Sequence, residues 1–165
     1  MNILTLKRYL LNCLWLILPV MLFDALLTTR LPAAYQMDFF WKDTPTFIAA
    51  GENFFRSIIF ILPILMPLDA TTRSQKIGVW VYLAGILVYF LAWGALILWP
   101  QSGWSTSWIG FLAPAYTALP WLIGIGLIGE RFYFISPYRS WMYLGLSAVF
   151  IFFHLAHTWT VFMRL

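Results

Sequence analysis

A chain of 165 residues that is 62% hydrophobic, 20% aromatic and only 10% charged is not a water-soluble domain of ordinary make-up. Its net charge of +4 comes from basic residues set singly or in pairs beside apolar stretches. That pattern lacks the clustered stripe that tracks phosphates, so it excludes nucleic acid as a partner and points to the lipid bilayer.

In chain order, the first apolar span is expected over 9–31, with Pro19 bending it and Asp24 in its later third. Lys7 and Arg8 ahead of it imitate a secretory signal, but the apolar run is too long for one and reads as a retained helix. Its single cysteine, Cys13, excludes an intrachain disulfide. Cys13, Ile17, Val20 and Thr28 share a side with Asp24, the side expected to face protein. The segment 32–45 mixes Tyr35, Phe39, Phe40 and Trp41 with Asp38, Lys42 and Asp43, a composition suited to the headgroup level. Thr44 and Pro45 then read as N-cap and first residue of the second span, 47–68. That span carries Glu52, Asn53 and Arg56 in its first half, where charge is costly.

The third span, 77–99, has no charge, and Gly78, Gly85 and Ala92 share a face with Tyr82 and Tyr89, a pattern for close helix packing. Tryptophans 99, 104 and 108 read as an interfacial belt. The fourth span, 109–128, should be irregular at Pro114 and Pro120, on either side of Tyr116. The fifth, 141–163, sets Tyr143, Ser147, His154, His157 and Thr158 within about 100° of arc. The expected fold class is therefore an all-α integral membrane protein, a single-domain bundle of five transmembrane helices. An orientation with the N-terminus cytoplasmic and the C-terminus outside puts Lys7, Arg8, Arg73, Lys76, Arg131 and Arg139 inside, against Arg30, Lys42 and Arg164 outside. The expected location is the plasma (inner) membrane.

In that orientation Asp24, Glu52 and His157 each lie roughly 10 Å below the outer surface, with Arg56, His154 and Tyr116 a few ångströms deeper, at about 1.5 Å per helical residue. Polar groups from four spans share one layer, and the inner half has almost none. One site explains this better than separate local solutions. The expected site comprises Asp24, Glu52, Asn53, Arg56, Tyr116, His154 and His157, a polar pocket that binds or transports a small molecule or ion. Arg56 would engage an anionic or carbonyl group, and aromatic walls would suit a lipid-like ligand.

Two alternatives stand beside this reading. His154, His157 and Glu52 supply nitrogen and oxygen ligands for a metal ion, which would make an intramembrane metalloenzyme. An accessory subunit of a larger membrane complex would instead leave a polar face at the bundle surface. A homo-oligomer is compatible with either. No G-x-S-x-G, H-E-x-x-H, Walker loop or dinucleotide fingerprint is present, so binding or transport is preferred to catalysis. The W-x-P-P signature of tryptophan-rich sensory proteins is absent too: Pro100 follows Trp99 singly, and Trp121 follows Pro120.

Overall fold

The computed structural model describes residues 10–134 and 137–165, so Lys7, Arg8 and Tyr9, used above for orientation and for the start of the first span, lie outside the described residues. Within them every element is helical, apart from one antiparallel bridge between Asn12 and Pro67. Helix α1 is Leu18–Leu27, flanked by 3-10 turns Cys13–Leu16 and Thr28–Arg30. Pro19 sits in its first turn, where a missing N–H has no acceptor to satisfy, so it starts the α-helix rather than bending it. A linker follows, with a 3-10 turn Ala33–Tyr35 and a one-turn helix α2, Met37–Phe40.

Helix α3 is Thr46–Ile61, tightening into the 3-10 turn Leu62–Leu65 at Pro63. Its N-cap is Pro45, not Thr44; the Thr44 hydroxyl is spent on the Phe40 carbonyl and on His157. Helix α4, Arg73–Leu98, opens on a capping box between Thr72 and Gln75. Next come α5 (Trp108–Phe111), α6 (Ala113–Tyr116) and α7 (Ala118–Ile128), and the last helix is α8, Ser140–Phe162.

Four helical stretches among the described residues are long and apolar enough to cross a membrane: Cys13–Arg30, Thr46–Leu65, Arg73–Leu98 and Ser140–Phe162. The stretch expected as the fourth span is instead divided into α5, α6 and α7. Pro114 and Pro120 each lack the N–H that a continuous helix needs, and their rings crowd the preceding turn. The broken piece is not on the lipid side. Most residues from 110 to 128 are buried and none is exposed, so its unmatched carbonyls are sheltered by the other helices.

Packing follows from which faces lack bulk. Helix α4 lies along α7, and a Cβ at Gly85 would stand 2.4 Å from the Trp121 backbone nitrogen, while one at Gly124 would stand 2.5 Å from Tyr82. Only glycine permits that approach. The face of α4 expected to pack does so: Gly78, Tyr82, Gly85, Tyr89 and Ala92 are all buried, and Trp80, Leu87 and Leu91 are exposed on the other side. Helix α8 lies against both α3 and α7, and Tyr143 donates to the Ile59 carbonyl of α3 at 3.2 Å.

Helix α1 leans on α4. Phe23 stacks on Phe90 with centroids 4.5 Å apart, Tyr82 donates to the Leu16 carbonyl at 2.8 Å, and Tyr89 donates to Asp24 Oδ1 at 3.1 Å. It meets the second span at its start, where the Cys13 N–H donates to the Met66 carbonyl at 2.9 Å. Farther along, residues of α1, α3 and α8 together border two cavities.

Candidate functional site

Four residues of one helical turn separate Glu52 from Arg56 on α3, so both point to one side, toward α8. On α8, His154 and His157 are one turn apart and face back. The result is a single junction. Glu52 is fully buried, and its carboxylate receives three donors: Arg56 Nη2 and His154 Nδ1 (2.9 Å) on Oε1, and His157 Nδ1 (2.5 Å) on Oε2. A carboxylate in apolar surroundings is tolerable only when its lone pairs are filled in this way.

The linker closes the far side of that junction. His157 Nε2 lies 2.9 Å from the Phe40 carbonyl and 3.0 Å from Thr44 Oγ1. A carbonyl only accepts, so Nε2 carries an N–H, and the short contact to Glu52 holds a second proton. The Glu52–His157 pair is therefore neutral as a unit, whichever atom that proton sits on. Glu52 Oε1 already accepts from Arg56, so His154 Nδ1 donates to it. With Arg56 and the His157 proton already balancing Glu52 and Asp24, a further proton on Nε2 would be an uncompensated charge in the bundle. Charge balance therefore makes His154 a neutral ring with Nε2 as its acceptor.

The linker is itself held from several directions. Arg164 donates to the Lys42 carbonyl and, at 3.3 Å, to the Phe40 carbonyl, and its guanidinium lies 5.6 Å from the Phe39 ring. Tyr35 donates to the Phe111 carbonyl and stacks on Phe111 and Phe40 with centroids 4.7 and 5.7 Å away. Burial pushes the Tyr35 phenol above its ordinary value, which keeps it an uncharged donor.

Two adjoining cavities lie beside the junction, of about 300 and 230 Å³, and Asp24, Arg56, Trp93, Pro114 and His154 border both. Asp24 is exposed onto this space. The smaller one, farther from the linker, is walled by aromatic rings, among them Tyr89, Trp121 and Phe150. Tyr35 borders the larger one and also a third, outermost cavity of about 640 Å³ lined by neutral residues such as Gln101, Ser105 and Thr106.

Arg56 commits only one of its nitrogens to a protein acceptor among the described residues, with its guanidinium 5.7 Å from the Trp41 ring and 5.9 Å from Phe150. Asp24 takes only the Tyr89 hydroxyl among the described residues, and makes no ion pair with Arg56. Acid and base thus face one space without meeting across it.

Five of the seven expected residues come together here: Glu52, Arg56, His154 and His157 in the junction, and Asp24 across the cavity. Two do not. Asn53, a quarter-turn from Glu52, is turned to the exposed side of α3 beside Phe54 and Ser57. Tyr116 borders a separate apolar cavity with Val88 and Trp104, and its hydroxyl donates to the Ile109 carbonyl at 3.2 Å; from the same short helix only Pro114 and Ala115 reach the polar side. Among the described residues no group of three or more His, Cys, Asp or Glu side chains is arranged to hold a metal ion. Both imidazoles aim Nδ1 at oxygens of one carboxylate, as hydrogen bonds.

Sequence reasoning missed Tyr89, Trp41, Thr44 and Trp93. Tyr89 had a signal, since ten residues before Trp99 it falls at the depth of Arg56 and His154. The chain matches no family model, no curated protein and no solved structure in comparisons with known proteins.

Proposed function

We propose that this is a bundle of five transmembrane segments, four of them continuous and one broken, with the N-terminus cytoplasmic and the linker end facing outward. In its outer half it binds, or passes across the membrane, a small molecule held between Arg56 and Asp24. The observation that carries this reading is the unspent capacity of those two groups: a guanidinium with free N–H donors and a carboxylate with one bond border the same cavity and do not touch. A purely structural pair would close that distance, because charges left unpartnered in a membrane protein are costly. Aromatic walls suit a flat or lipid-like body, with the polar groups fixing its orientation.

The test is what travels with the protein. Protein extracted from its own membrane into lipid nanodiscs should carry a small molecule at close to one per chain by mass spectrometry. Arg56→Gln, still folded by circular dichroism, should have lost it. Equal recovery from both variants, or recovery from neither, overturns the reading.

A second reading, an accessory subunit of a larger assembly, is favoured by Asn53. Its side chain is exposed among apolar residues of α3 and makes no hydrogen bond among the described residues. A partner helix offering a polar group would cover it. Cross-linking from a cysteine placed at Asn53 should then capture one discrete partner, and capture of lipid alone sinks this alternative.

A further inference from the structure

Resting on the ligand-binding reading above, the ligand's charge class follows from the proton count of the site. The junction contributes no net charge: the Glu52–His157 pair is neutral as a unit, and His154 is a neutral ring that donates from Nδ1 and presents Nε2. Only two charges then remain at the cavity, one of each sign. Arg56 offers N–H donors, and Asp24 offers acceptor lone pairs beyond the one taken by Tyr89. Besides Arg56 and His154, the titratable groups bordering these cavities with Asp24 are the phenols Tyr35 and Tyr89; Tyr89 donates to Asp24, and the neighbouring Thr28 hydroxyl is spent on the Asp24 carbonyl.

We infer that the cavity selects an uncharged ligand whose polar group both accepts and donates hydrogen bonds, as an amide does, joined to a flat apolar body. The carbonyl oxygen meets Arg56 and the N–H or O–H meets Asp24. A carboxylate in the same place would satisfy Arg56 but set its charge against Asp24, and an ammonium group would do the reverse. Beside the low-dielectric interior of the bundle neither repulsion is fully screened, so the site discriminates against both. The aromatic chamber beyond Arg56, with Trp121 and Phe150 among its walls, takes the apolar body.

Three probes of one outline separate the possibilities: naphthamide, naphthoate and naphthylmethylammonium. Binding is measured by equilibrium dialysis at one near-neutral pH against protein in phosphatidylcholine nanodiscs, with empty nanodiscs subtracted. The wild type should bind the amide at least about tenfold more tightly than either ion, the discrimination worth one unpaired charge at modest cost. Asp24→Asn removes the negative charge with almost no change of shape, and should move the preference to naphthoate. Arg56→Gln should move it to the ammonium probe.

Each other outcome overturns the inference. A wild type that prefers naphthoate shows Arg56 unbalanced; the charge assignment falls and the ligand-binding reading stands. An amide preference that Asp24→Asn leaves unchanged shows that Asp24 is not the balancing charge. Binding of none of the three above the empty-nanodisc level removes both this inference and the reading on which it rests.

Discussion

Two helix pairs hold much of this bundle, and they use opposite chemistry. Helix α3 meets α8 through a buried carboxylate with three donors, whereas α4 meets α7 through glycines at 85 and 124 that let backbone approach backbone. The apolar contact fixes distance and leaves rotation to be settled by neighbouring rings. The polar contact fixes the rotation of both helices, since imidazole and carboxylate must meet in direction as well as in range. Glu52, Arg56, His154 and His157 stand on the polar pair, whereas Asp24 comes from α1 and Tyr89 and Trp93 come from α4.

Substitutions can break this contrast in order of size. Glu52→Leu removes the one acceptor shared by Arg56, His154 and His157 and leaves His157 buried beside an alkyl chain; it should cost about 3–5 kcal/mol, read by unfolding in mixed micelles. Gly85→Ala, on the apolar side, should cost about 1–3 kcal/mol, because the methyl group meets backbone atoms of Trp121 and Pro120, which cannot swing away.

Arg56→Leu should fall below Glu52→Leu, at about 1–2 kcal/mol, since Glu52 keeps two imidazole donors and the arginine side chain is one-third exposed. Should the arginine variant be the more damaging of the two, the histidines are not the principal partners. Tyr82→Phe, which deletes one hydrogen bond to the Leu16 carbonyl, should cost about 1 kcal/mol and loosen α1 from α4. Lys76→Leu, exposed in the first turn of α4, should stay within about 0.5 kcal/mol of the parent protein.

Much of the scaffold was legible because period and composition are local properties. The apolar stretches, the packing face of α4 and the break at Pro114 and Pro120 follow from residues close in sequence. Depth along a helix is local as well, and that is why Glu52, Arg56, His154 and His157 could be grouped. Rotation is not: Asn53 has the same depth as Glu52 but lies a quarter-turn away, and only the position of α8 decides which of the two is buried. Tyr116 was misplaced for a related reason, since past Pro114 the α6 backbone no longer follows a single helical phase. The Phe40 carbonyl could not be foreseen, because a main-chain acceptor leaves no mark on residue type.

The linker over the site is made early and fastened late. Tyr35 waits for Phe111, 76 residues on; Thr44 and Phe40 wait for His157, 113 and 117 residues on; Phe40 waits again for Arg164, 124 residues on. During synthesis Glu52 is likewise ahead of its imidazole partners by 102 and 105 residues. Chains enter the bilayer from the N-terminal end. For that interval the one partner available to the carboxylate is Arg56, one turn along the same helix, so the guanidinium acts as an internal escort that keeps α3 insertable until α8 arrives.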